Sequence, residues 1–174
     1  MDLAPHVEIV RFSQKEHLAG AIESIREVRK SDAGYPSPVD TVFTQSGLVN
    51  WLLEEDAINR WVALIDGEVG GHISIVKAHP YLTQHLDKSG TQPGGVEGFA
   101  EISKFYVSPL YQKHGIGALL FAHALESAVA EGFTPALAVI STSVNAVRFY
   151  RKAGMEDMGY FDGVHGRNFV FLAG

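Results

Sequence analysis

The sequence predicts a mixed α/β domain: a mostly antiparallel central sheet, one parallel β–α–β crossover, and helices on both faces. Three observations carry this. Residues 61–65 and 69–76 are apolar runs joined through Asp66 and Gly67, a pair suited to a tight hairpin turn. Residues 100–140 read as strand, glycine-bearing loop, helix and strand, which makes a parallel crossover. Near the C-terminus, 158–161 and 168–172 flank Gly163-Val164-His165-Gly166 as a second hairpin.

The elements follow in order. Residues 7–12 form a short strand with Val7 and Ile9 on one face. Ser13 followed by Glu16 is a capping-box pattern and opens a helix to about 28–30. Gly34, Pro36 and Pro38 make 31–40 a loop. A second helix over 46–56 buries Leu48, Trp51 and Leu52, and Trp61 is assigned to the core as well. Residues 78–97, with Pro80, Gly90, Pro93, Gly94 and Gly95, are the least regular stretch and read as a long functional or mobile loop. After the strand at 100–107 come a loop, a helix over about 115–131 and a strand at 135–140. A short helix over 144–153 stops at Gly154.

Length and composition set limits. A chain of 174 residues reads as one domain, 1–174, with enough length for a substantial core. A formal charge of −6 argues against broad phosphate neutralisation on nucleic acid. With no cysteine there is no disulfide, thiolate metal site or cysteine nucleophile. His79 and His85 lack a carboxylate pattern to complete a metal site, so no metal is expected. The N-terminus lacks the basic and apolar regions of a signal peptide, and no uncharged run spans a bilayer, so the expected location is cytoplasmic.

The stretch from Val107 to Ala118, VSPLYQKHGIGA, carries the chemistry. Gly115 and Gly117 let the backbone approach a ligand closely and aim successive N–H groups at it. The helix that follows begins with unpaired N–H groups and a partial positive charge. Strand, glycine loop and helix N-terminus together form a diphosphate cradle. Ala118 and Leu119 follow Gly117, where a nucleotide-binding P-loop needs Lys and Ser or Thr. A dinucleotide fingerprint needs a third glycine in an early βαβ unit, and here only Gly115 and Gly117 are present.

What remains resembles the GNAT superfamily of acetyl-coenzyme A-dependent N-acetyltransferases. Gln112-x-x-Gly115-x-Gly117-Ala118, directly after a strand, matches that family's Gln/Arg-x-x-Gly-x-Gly/Ala signature. Residues 146–155, AVRFYRKAGM, are similar to its Ala-x-x-φ-Tyr-x-x-x-Gly-Phe block. The resemblance implies acetyl-CoA as cofactor and an amine acceptor, either a small molecule or a peptide. It implies that backbone N–H groups of Gln112, Lys113, His114, Gly115, Ile116, Gly117 and Ala118 bind the pyrophosphate. The main chain at Tyr106 and Val107 would pair with the pantetheine arm, in a slot where strands 100–107 and 135–140 splay apart. The Val107 N–H would stabilise the oxyanion, and Tyr150 would protonate the departing thiolate. The family often has an asparagine seven residues before that tyrosine. Here the position is Ser143, with Asn145 nearby, so either Asn145 substitutes or Ser143 caps the helix. Homodimers are common in the family, though no sequence feature specifies one.

The amine must lose a proton before or during attack. Glu101, which opens the central strand, is the candidate base; water and a structural pairing with a neighbour such as Lys104 are the alternatives. Candidate acceptor contacts are Tyr35 and Asp40 in the first interhelical loop, His72 on the 69–76 strand and His165 in the last hairpin. For His72 the competing assignment is a hydrogen-bonded structural histidine. The irregular 78–97 stretch inclines the reading toward an enclosed small-molecule amine site. A non-catalytic acyl-CoA sensor, and a transferase using a longer acyl donor or a hydroxyl acceptor, are the rival functions.

Overall fold

A computed structural model describes residues Leu3–Asp32, Tyr35, Phe43–Leu53 and Asp56–Gly174. Strands β1 (Val7–Arg11), β2 (Ala57–Ile65), β3 (Glu68–Lys77), β4 (Gly98–Val107), β5 (Phe133–Ile140), β6 (Glu156–Gly163) and β7 (Gly166–Leu172) form one seven-stranded sheet in the order β1-β2-β3-β4-β5-β7-β6. The helices are α1 (Gln14–Ser31), α2 (Gln45–Leu53), α3 (Pro80–Lys88), α4 (Ile116–Ala130) and α5 (Val144–Lys152). The sheet is mostly antiparallel with the β4–β5 pair parallel, as the sequence predicts. Among the described residues, no helix is long and apolar enough to cross a membrane.

The chain forms two compact units, one running up to Ser74 and including Lys104–Ala124, the other comprising Ile75–Ser103 and Leu125–Gly174. In the first unit, β1 lies antiparallel to β2 from Val7↔Ile65 to Arg11↔Trp61. Asp66 (φ 49°) and Gly67 (φ 87°) are both left-handed, which matches the twist a two-residue hairpin needs. Ala21, Ile22 and Ile25 of α1 pack with Leu48 and Leu52 of α2 and with Tyr106. Trp61 is buried as expected, whereas Trp51 is only half-buried at the edge of this cluster. The capping box at α1 takes another form. The Ser13 side chain makes no cap bond, and Ser13 N–H donates instead to Nδ1 of His17 at 2.9 Å. An imidazole four residues on thus does the reciprocal task expected of Glu16. The predicted loop 31–40 falls largely outside the described residues, and Asp40 is among those not described.

In the second unit the structure corrects one expectation. Residues 80–88 of the supposed irregular stretch form α3. Pro80 stands in the first turn, where its missing N–H costs nothing, and Leu82 and Leu86, one turn apart, are fully buried. With that helix present, irregularity no longer supports an enclosed small-molecule site. Leu82 and Leu86 join Phe99, Ala136, Val170 and Leu172 in the core of this unit. β5 pairs antiparallel with β7 from Ala136↔Leu172 to Ile140↔Asn168, and β6 covers the other edge of β7. The parallel β4–β5 ladder runs only from Gly98↔Phe133 to Glu101↔Ala136.

Candidate active site

The cradle residues belong to the first unit. At the end of β4 the buried Ser108 anchors the corner: its N–H donates to the Gly70 carbonyl at 2.8 Å and its hydroxyl accepts from Leu110 N–H at 3.3 Å. One 3₁₀ turn, Pro109–Tyr111, leads into the loop, and Gln112 Nε2 reaches the Val107 carbonyl at 3.5 Å. Lys113 (φ 71°) and Gly115 (φ 73°) are left-handed, an alternation that turns peptide N–H groups toward a common concavity. Leu119 N–H donates to the Gly115 carbonyl at 3.1 Å, so the N–H groups of Ile116, Gly117 and Ala118 come before the first α-helical donor. Gln112, Lys113, His114, Gly115 and Ala118 are exposed, and a Cβ built on Gly115 would meet no heavy atom within 4 Å. An open set of backbone donors at a helix N-terminus fits the diphosphate of coenzyme A.

Upstream of the cradle, the β4 backbone turns left-handed at one residue. Lys104 has φ 49° inside the strand, and its ammonium lies 5.5 Å from the Trp51 ring centroid. Tyr106 is buried, with its hydroxyl donating to the Ala21 carbonyl at 3.0 Å; burial, and secondarily Tyr35, push its phenol well above the usual range. The Tyr35 hydroxyl donates to the Phe105 carbonyl at 3.5 Å, and its ring meets Trp51 and Tyr106 edge-on. His72 is fully buried, its Nδ1 2.8 Å from the Lys104 carbonyl. Desolvation, reinforced by Arg60 and Lys104 and opposed by the Lys104 carbonyl bond, lowers its pKa from 6.5 to about 4. Of the two assignments weighed for His72, this geometry is that of the hydrogen-bonded structural histidine.

In the second unit, Glu101 is buried at the last step of the β4–β5 ladder. Its carboxylate accepts from His79 N–H at 3.1 Å, from His79 Nδ1–H at 2.9 Å and from the Tyr81 hydroxyl. The imidazole and phenol stack 5.4 Å apart with 7° between their planes. Glu101 therefore takes these partners from the start of α3. Sequence reasoning missed His79 and Tyr81; the signal was Pro80 before Leu82 and Leu86, a helix start that brings both side chains to one carboxylate. His85 is engaged elsewhere, with Nε2 2.7 Å from the Met158 carbonyl. Among the described residues, no group of three His, Asp or Glu side chains forms a metal-ligand set.

Tyr150 is buried on α5 against Phe149 and Phe171, and burial pushes its phenol far up. Its carbonyl accepts from Met155 N–H at 3.2 Å while Gly154 (φ 84°) donates to Arg151 at 3.1 Å. These two bonds make a Schellman cap, which gives the Tyr-x-x-x-Gly spacing its physical reason. Ser143 stands at the N-cap without a side-chain cap bond, and Asn145 is exposed in the first turn. His165 is exposed at the tip of the β6–β7 hairpin. A cleft of about 330 Å³ along α5, with Arg148, Arg151 and Phe169 in its wall, includes none of the predicted site residues.

Comparisons with known proteins agree with this geometry. A model of the acetyltransferase (GNAT) family matches residues 22–155. The fold is similar to the PaiA N-acetyltransferase of Thermoplasma acidophilum in complex with coenzyme A, at 20% identity and TM-score 0.67 over 96% of this chain and 98% of that one. It is also similar to Ard1 from Thermoplasma volcanium, at 19% identity and TM-score 0.66 over 96% of each chain. NAA60 of Arabidopsis thaliana in complex with acetyl-CoA aligns at 16% identity and TM-score 0.66, over 97% of this chain and 98% of that one. The family match takes in both the cradle at 112–118 and the helix that carries Tyr150, and this chain belongs to the acetyltransferase (GNAT) family.

Proposed function

We propose that this chain, acting as one catalytic domain, is an N-acetyltransferase that moves an acetyl group from acetyl-CoA to a primary amine in a ternary complex. The observation that carries the reading is the loop at 112–118, with left-handed Lys113 and Gly115 opening α4. Two fold neighbours described in complex with coenzyme A or acetyl-CoA support it.

Acetyl-CoA bound there supplies an activated thioester carbonyl. The N–H groups of Ile116, Gly117 and Ala118 bind the pyrophosphate oxygens, with the helix dipole behind them. The main chain of Tyr106 and Val107 pairs with the pantetheine arm as an added strand. The end of the β4–β5 ladder at Glu101↔Ala136 supports this, because later β4 backbone lies outside that ladder. The Val107 N–H donates to the carbonyl oxygen as negative charge gathers on it. Ser143, which makes no side-chain cap bond, and Asn145 hold the cofactor from the start of α5.

The Glu101–His79 pair receives the proton that the amine sheds. With Nδ1–H committed to Glu101, Nε2 is the basic nitrogen of His79. Tyr150, kept protonated by burial, delivers its proton to the departing sulfur. With no cysteine in the chain, direct attack is preferred to an acetyl-cysteine intermediate.

A thermal-shift titration with acetyl-CoA, coenzyme A, ATP and NAD tests the reading, since a ligand of the native state raises apparent stability by mass action. A shift with the two coenzyme A species alone is the expected result. A shift with ATP or NAD and none with coenzyme A overturns it.

A further inference from the structure

The left-handed backbone at Lys104 is held by an imidazole that no part of the proposed chemistry uses. A non-glycine residue in the left-handed region is strained and persists only where its surroundings over-determine it. Here they do. The Lys104 carbonyl faces His72 Nδ1 at 2.8 Å. A carbonyl only accepts, so Nδ1 carries the proton and Nε2 is a bare acceptor; that Nε2 is buried without a hydrogen-bond partner. The imidazole stacks on Tyr106 at 5.5 Å with 16° between planes, and Phe12 closes its edge at 5.7 Å. Tyr106 is tied to α1 through the Ala21 carbonyl at 3.0 Å. The imidazole is thus wedged on two sides while its one donor grips the left-handed residue of β4, three residues before Val107.

We propose that His72 is the positioning residue for the pantetheine arm: its Nδ1–H bond to the Lys104 carbonyl fixes the left-handed backbone there and so orients the backbone of Tyr106 and Val107 toward the cofactor. This rests on the acetyl-CoA reading above. A core residue that only filled space would not need a donor at this edge, nor leave Nε2 unpartnered. His72 acts on the arm and not on the phosphate cradle, because residues 112–118 are anchored separately through Ser108 and Gly70.

The test is calorimetric titration of the full chain with coenzyme A and with 3′-phospho-ADP, which has the pyrophosphate but no pantetheine. His72→Phe keeps a ring against Tyr106 and removes the donor. It is expected to weaken coenzyme A about tenfold, the size of one lost hydrogen bond, while 3′-phospho-ADP stays within about twofold of wild type. Glycine takes a positive φ without strain, so His72→Phe with Lys104→Gly is expected to recover most of the coenzyme A affinity. If His72→Phe alone does not fold, His72→Leu, which also lacks the donor, is titrated in its place with the same expectation for each ligand. Unchanged coenzyme A affinity in His72→Phe, or equal loss for both ligands, overturns the positioning role and leaves the acetyl-CoA reading standing. Failure of the wild-type chain to bind either ligand overturns both.

Discussion

Glu101 accepts two hydrogen bonds from a single residue, His79, one from the main-chain N–H at 3.1 Å and one from Nδ1 at 2.9 Å. The first bond sets where the imidazole starts and the second sets its tautomer, so ring position and basic nitrogen are fixed together. The Tyr81 hydroxyl takes the other carboxylate oxygen.

Glu101→Gln tests this pair. The amide is nearly isosteric but carries no charge to support an imidazolium. Thiol release in the presence of primary amines is expected to fall by about 10²–10⁴-fold, the usual range for lost acid–base catalysis. Coenzyme A affinity measured by titration should hold. Turnover equal to wild type removes the Glu101–His79 pair from the proton path.

Gly117→Val tests the cradle. A branched side chain in the first turn of α4 crowds the surface where phosphate oxygens would meet the Ile116 and Ala118 N–H groups. The thermal shift produced by coenzyme A should disappear, while the melting temperature without ligand changes by only a few degrees, since valine is no worse a helix former than the half-buried glycine it replaces. A full coenzyme A shift in this variant would refute the cradle.

Much of this architecture is legible in the sequence because its signals are local. Asp66-Gly67 names its own turn, Gly154 names the end of α5, and the glycines at 115 and 117 mark a strand-to-helix loop. The elements that escape reading depend on distant residues. Helix α3 was hidden by the prolines and glycines around it, since its evidence is only Leu82 and Leu86 burying against Phe99 and Val170. The left-handed residue of β4 has no sequence signature, because nothing local to Lys104 marks φ 49° and its carbonyl meets His72 on another strand. The partners of Glu101 were missed for the same reason: His79 and Tyr81 lie about twenty residues away and reach it through α3.

His72 predicts a pH dependence of stability. Its folded pKa of about 4 lies below the unfolded value of 6.5, so between these values the unfolded chain binds more protons. Its contribution is fully present above pH 6.5 and is lost as pH falls toward 4, a change of order 3 kcal/mol. Urea melts at pH 7 and pH 4.5 should differ less for His72→Phe than for wild type. An identical difference in both chains shows that other groups dominate the acid limb.

Tyr150→Phe separates chemistry from binding. The phenol is buried and held protonated, which suits a group that donates once, to sulfur, and is recharged between turnovers. The Schellman cap that fixes the backbone at Tyr150 uses its carbonyl and not its hydroxyl, so the helix end survives the substitution. Turnover is expected to drop by about ten- to a thousandfold, with coenzyme A affinity little changed. An acyl donor whose thiol leaves more readily, such as a thioester of an aryl thiol, needs less help from an acid, and with it the deficit should shrink. A deficit of the same size for both donors assigns the Tyr150 hydroxyl a structural role and takes it out of the proton path.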